Sequence, residues 1–144
     1  MIQHYGNDFV DRFATFWRSP SPEAMASLLT PDAVLTQPLA KPMQGLEAAR
    51  EEFRRLFRWL PDLRAEVRDW GMHDASLLIR IQVSATVGGK PLTWPAVDHF
   101  QLREDKACRR DTYFDPTPLM LHILATPKTW PGWWRSGTAR PWMR

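Results

Sequence analysis

Residues Leu92–Phe100, L-T-W-P-A-V-D-H-F, hold the arrangement that most asks for chemistry. Leu92, Trp94, Ala96, Asp98 and Phe100, continued by Leu102, alternate with Thr93, Pro95, Val97, His99, Gln101 and Arg103. On a strand, successive side chains point to opposite faces. One face is then apolar except for the Asp98 carboxylate, and the other is mostly polar. Desolvation raises the pKa of a carboxylate in apolar surroundings. Asp98 is therefore a candidate general acid, or a hydrogen-bond donor to a developing oxyanion. The second reading is that Asp98 pairs with a cation or caps a buried network, and Arg110 on the following strand is available for it. Register decides what Asp98 faces. A three-residue turn at Glu104–Lys106 puts it opposite Thr112. A two-residue turn puts it opposite Asp111, where facing carboxylates would repel.

The other candidates are less specific. Gln37 donates and accepts hydrogen bonds and could orient a carbonyl, or be an ordinary surface residue at a strand end. Phe13, Trp17, Phe53, Phe57, Trp94 and Phe114 read as pocket wall and core together, and for each taken alone plain core is the first reading. With Arg110 and Thr112, these form the expected substrate-binding set around a catalytic Asp98. His99 points away from Asp98 by alternation, and His4, His73 and His122 share no ligand spacing. With Cys108 the single cysteine, no metal set is expected. No G-x-S-x-G, G-x-G-x-x-G or P-loop pattern occurs, and no cofactor is expected. Arg50, Arg54, Arg55 and Arg58 read as a solvated helix face, with Glu51 placed to pair with Arg55.

Positioning these residues requires a particular order of elements. Phe9, Phe13, Phe16 and Trp17 mark one face of a helix over Tyr5–Arg18. Ser21, Pro22 and Glu23 begin a second, short helix with Met25, Leu28 and Leu29 on its apolar side. Pro31-Asp32 reads as a turn, and Ala33–Gln37 as a strand stopped by Pro38. A third helix follows over Leu46–Leu60, with Ala49, Phe53, Leu56, Phe57 and Leu60 as its stripe. The period then changes to two. Strands are expected over Leu63–Trp70, Leu77–Val87, Leu92–Arg103 and Ala107–Asp115, with a hairpin at Gly88-Gly89. Helices followed by a meander of strands make an α+β domain with its helices on one face of an antiparallel sheet. Residues 117–144 differ in character. Leu119–Leu124 suggests a turn or two of helix, after which Trp130, Trp133, Trp134 and Trp142 alternate with Pro, Gly and Arg.

The 144 residues fit one domain with a real core, and 44% hydrophobic content argues against disorder. A net charge of +3 is too mild to suggest nucleic acid as a partner. Gln3, His4, Asn7 and Asp8 speak against a secretion signal, and a cytoplasmic location is the expectation. The Trp and Arg of the tail would suit a membrane interface, but its prolines oppose a long amphipathic helix. Packing on the pocket mouth or a partner subunit ranks first.

Three stretches carry a resemblance to a known family. They are S-L-L-T-P-D-A-V-L-T-Q-P (Ser27–Pro38), P-M-Q-G-L-E-A-A-R-E-E-F (Pro42–Phe53) and P-A-V-D-H-F-Q-L (Pro95–Leu102), closing with Y-F-D at Tyr113–Asp115. Together they resemble the nuclear transport factor 2-like superfamily, in its SnoaL-like and ketosteroid isomerase-like branch. The resemblance implies a cone, or cystatin-like roll: a curved antiparallel sheet against three N-terminal helices. It implies this domain over residues 1–116, with 117–144 as an extension. It also implies a pocket for a small hydrophobic molecule and a homodimer through the outer face of the sheet. Residue by residue it is less generous. The oxyanion-hole aspartic acid of ketosteroid isomerases falls on Asp98, but their tyrosine falls on Phe13 and their base on Gln37. The triad of limonene-epoxide hydrolases falls on Ile79, Ile81 and Thr112. The last-strand aspartate of the SnoaL-like cyclases falls on Thr112, with Asp111 one residue away. The expected function is proton-transfer isomerisation, cyclisation or dehydration of an apolar, oxygen-bearing substrate. A non-catalytic ligand-binding or accessory dimeric domain is the alternative.

Overall fold

The computed structural model describes residues 2–139, the first two by backbone alone. Helix α1 spans Ile2–Arg18 and is followed by a 3₁₀ turn at Glu23–Ser27. Strands β1 (Leu29–Thr36) and β2 (Met43–Gln44) precede helix α2 (Leu46–Trp59). The meander follows as β3 (Arg64–His73), β4 (Ser76–Val87), β5 (Lys90–Arg103) and β6 (Lys106–Tyr113). The chain then forms α3 (Thr117–Ala125), a 3₁₀ turn at Pro127–Thr129, and α4 (Trp130–Ser136). Trp142 lies outside the described residues. No described helix is long and apolar enough to cross a membrane.

The strands form one curved six-stranded sheet in the order β2-β1-β6-β5-β4-β3. Its pairings are antiparallel except for β1 beside β6, which run parallel. Alternation supplies its packed face: Leu77, Ile79, Ile81 and Ala85 of β4 and Ala96, Asp98 and Phe100 of β5 are buried. Helix α1 lays its aromatic stripe on that face. The Phe9 and Phe13 rings meet Phe100 edge-on, with centroids 4.8 and 5.5 Å away.

Several boundaries differ from those read off the sequence. The second helix is a single 3₁₀ turn, with the Ser21 hydroxyl accepting from the Ala24 amide at 3.2 Å. Leu29 belongs to β1, which begins four residues before Ala33 because the Leu28 carbonyl accepts from the Ala107 amide at 2.8 Å. Pro31 and Asp32 make a bulge within β1, in the irregular stretch between the Leu29–Ala107 and Val34–Arg109 pairs. Proline has no amide to give a ladder, so it sits where pairing is interrupted. The Gly88-Gly89 turn has φ of 61° and 82°, as a tight hairpin of this hand demands. A Cβ on Gly88 would lie 2.2 Å from the Thr129 methyl carbon, so the hairpin packs directly on the C-terminal extension.

That extension is more helical than its sequence suggests. Pro131 sits in the first turn of α4, where its missing amide costs nothing. Gly137 closes the helix at φ 75°. Trp133 is buried, and its indole N–H donates to the Ala139 carbonyl at 3.1 Å.

Candidate active site

Asp98 is fully buried, at 0% exposure, in the middle of β5. Its neighbours across the sheet are Ile79 on β4 and Thr112 on β6. The Thr112 hydroxyl donates to Asp98 Oδ1 at 2.6 Å, and Arg110 Nη2 donates to Oδ2 at 2.9 Å. Arg110 is itself buried, with its guanidinium carbon 5.7 Å from the Phe53 ring centroid. The arrangement is a charge-assisted ion pair completed by a hydroxyl.

Thr112 opposite Asp98 is one of the two registers the sequence allows, but it is reached with the turn length that was tied to the other. The β5–β6 turn has two residues, since Arg103 pairs with Lys106. Carried straight through, that turn would set Asp98 against Asp111. A bulge at Cys108 intervenes: Leu102 pairs with Ala107, but Gln101 pairs with Arg109. The extra residue restores Thr112 opposite Asp98.

Asp111 consequently faces the other side of the sheet. It accepts from the Thr36 hydroxyl and, at 2.9 Å, from Arg109 Nε. Burial pushes the Asp111 carboxyl up, but the Arg109 and Thr36 hydrogen bonds outweigh it, so its pKa lies below the usual value. His99 shares that outer face, hydrogen-bonded to the Ser76 hydroxyl.

A cavity opens between the packed face, α2 and the C-terminal extension. It holds about 730 Å³ of space between protein atoms, counting its mouth and the solvent that opens onto it. Of the residues singled out in the sequence, it brings together Trp17, Gln37, Phe53, Trp94, Arg110, Thr112 and Phe114. Phe13 instead lines a smaller neighbouring cavity, which also touches Trp17, Phe53 and Arg110. Phe57 lines neither and packs against the Trp17 ring, with centroids 6.4 Å apart. Asp98 is not in either wall. It sits between Ala96, in the wall of the larger cavity, and Phe100, in the wall of the smaller. What it presents to a ligand it presents through Arg110 and Thr112.

Residues not singled out complete the wall. Ile81, Val83 and Ala96 are legible as inward members of the alternation. Trp59 comes from the last turn of α2. Thr138 and Ala139 come from the extension and complete the lining. The Thr138 hydroxyl donates to Glu52 of α2, which locks the extension there. No periodicity announced that contact. Three of the α2 arginines are held by acids of the same helix: Arg50 by Glu47, Arg54 by Glu51, and Arg55 by Glu52 at 3.2 Å and by Glu51 at 3.9 Å. Among the described residues, no group of His, Cys, Asp or Glu is placed to hold a metal.

Residues 10–110 match the model of the SnoaL-like domain family. No curated protein matches the chain in sequence. Similar solved structures include a candidate SnoaL-like polyketide cyclase from Jannaschia sp., at 15% identity and TM-score 0.73, covering 83% of this chain and 94% of that one. TerC, crystallised with polyporic acid, is similar at 18% identity and TM-score 0.73, over 81% of this chain and 98% of its own. IdmH of Streptomyces antibioticus, a candidate polyketide cyclase, is similar at 19% identity and TM-score 0.70, over 83% and 98%. At these identities the likeness is one of fold.

Proposed function

Because the chain belongs to the SnoaL-like domain family, we propose that its cavity binds a small, largely apolar, oxygen-bearing molecule and rearranges it by proton transfer. The observation that carries this is the buried Asp98 holding two cavity-wall residues, Arg110 and Thr112. The Thr112 hydroxyl lies between the cavity and the carboxylate. As its oxygen takes a proton from the carbon next to a ligand carbonyl, its own proton passes to Asp98 Oδ1. The C–H electron pair moves into the new C=C bond and onto the carbonyl oxygen, which faces Arg110. With Asp98 neutralised, the Arg110 guanidinium keeps its proton and balances the enolate instead, so the net charge of the site does not change. Gln37 orients the ligand. Return of the proton to another carbon gives isomerisation, and attack of the enolate on a second carbonyl gives ring closure. TerC, crystallised with polyporic acid, supports a small-molecule site in this fold.

Deuterium uptake at the activated carbon of 2-tetralone in D₂O, followed by NMR, tests this without the natural substrate. The protein should accelerate exchange, and Asp98→Asn or Thr112→Val should each lower it by about 100-fold or more. Exchange at the buffer rate, or undiminished in both variants, removes the catalytic reading.

One observation favours a second reading. Asp98 is sealed from the cavity by its own ion pair, and Gln37 and Phe13 replace the base and tyrosine of the isomerase pattern. A ligand-binding or accessory domain would then bind the probe without exchanging it. In either reading a second copy pairs on the outer face of the sheet, where Leu78 and Tyr113 are exposed.

A further inference from the structure

The larger and smaller cavities share a strip of wall made by Trp17, Phe53 and Arg110. Two N–H groups of these residues, Trp17 Nε1 and Arg110 Nε, lack an acceptor among the described residues but have almost no accessible surface of their own. Both belong to buried side chains. The Arg110 guanidinium carries donors and no acceptor, so its part of the wall suits a ligand group that only accepts. A carbonyl oxygen does so.

Charge then separates a neutral carbonyl from a carboxylate. Among the described residues, Arg110 is the one charged residue lining the larger cavity. Its charge is already balanced by Asp98 behind it, 2.9 Å away. A carboxylate ligand would bring a second anion to a guanidinium that is already paired, in apolar surroundings where an unbalanced charge is expensive. A ketone or ester brings the same acceptor oxygen and no charge.

We propose that Asp98 sets the charge preference of the cavity: with Asp98 present, the site takes an uncharged carbonyl compound and excludes the matching carboxylate. This rests on the small-molecule reading above. It adds the charge and acceptor character of the ligand, and a specificity role for Asp98 that does not depend on proton transfer. Asp98 acts here through Arg110, as a positioning residue.

Isothermal titration calorimetry with 2-acetylnaphthalene and 2-naphthoate tests it. The protein should bind the ketone about tenfold or more tightly than the carboxylate. In Asp98→Asn the guanidinium is unbalanced, so naphthoate should gain about tenfold while the ketone changes by less than about threefold. In Asp98→Asn/Arg110→Gln that gain should vanish. A merely structural role for Asp98 would weaken both probes together and leave their ratio unchanged, which would overturn the proposal. Should Asp98→Asn not fold, naphthoate against its methyl ester in the unaltered protein still decides, because equal affinities overturn it. Ala96→Phe, which fills the cavity, should abolish binding of both probes. If it does not, or if neither probe binds, the small-molecule reading fails and takes this inference with it.

Discussion

At the residue scale, both oxygens of Asp98 are engaged, one by a guanidinium and one by a hydroxyl. This settles how the lone carboxylate of an apolar face is accommodated: its charge is matched by a buried cation. Removing one member of such a pair leaves the other unbalanced in the core. Asp98→Ala should therefore lower stability by about 3–5 kcal/mol. Asp98→Leu combined with Arg110→Met removes both charges and should recover most of that loss. Urea unfolding of Asp98→Ala and of the double variant checks this, and a double variant no more stable than Asp98→Ala would contradict it. The candidate was legible because a single Asp stands in an alternating apolar stripe. Its concealment behind Arg110 and Thr112 was not, because alternation reports a face and not the depth along it.

At the element scale, the site depends on where strands are interrupted. The Cys108 bulge lets a two-residue turn and an Asp98–Thr112 pair coexist. It also sends Asp111 to the outer face, where Asp111 ties β6 to β1 through Thr36. This is the parallel seam of the sheet. The folded-state pKa of Asp111 is depressed below its ordinary value of 3.8. A group depressed on folding stabilises above its unfolded pKa and loses that contribution as pH falls through the folded value. Acid unfolding below about pH 4 should therefore draw in part on Asp111. Asp111→Asn should lower Tm at neutral pH and flatten its decline in that acid range. An unchanged acid limb would show that Asp111 is no part of the seam's stability. The β5–β6 bulge had only a conditional signal in the sequence, because a turn of two or three residues fits Glu104–Lys106 equally well.

At the scale of the whole molecule, the two faces of the sheet have different tasks. One carries helices and cavity. The other shows Leu78 half exposed and Tyr113 at 60% exposure, among the Arg80–Asp69 and Arg109–Asp111 pairs. Pairing of two copies there predicts sedimentation at about twice the 16.8 kDa chain mass. Leu78→Glu with Tyr113→Glu should return it to the single-chain value, since two acids cannot be buried unpaired. Sedimentation of the unaltered protein as a single chain would exclude the pairing. The C-terminal extension belongs to the cavity side, reaching it through Thr138 and Ala139.

The sequence by itself determined the two long N-terminal helices and the meander of strands after them, the inward set of each long strand, the Gly88-Gly89 hairpin and the polar group on the packed face. These follow from periodicity and from local backbone chemistry, which act over a few residues. Only the tertiary structure decided that Asp98 stands behind the cavity wall, that both Arg110 and Thr112 hydrogen-bond to it, and that Thr138 and Ala139 join the lining. Those outcomes depend on a one-residue bulge and on contacts between residues as far apart as Glu52 and Thr138, and no local pattern encodes such distances.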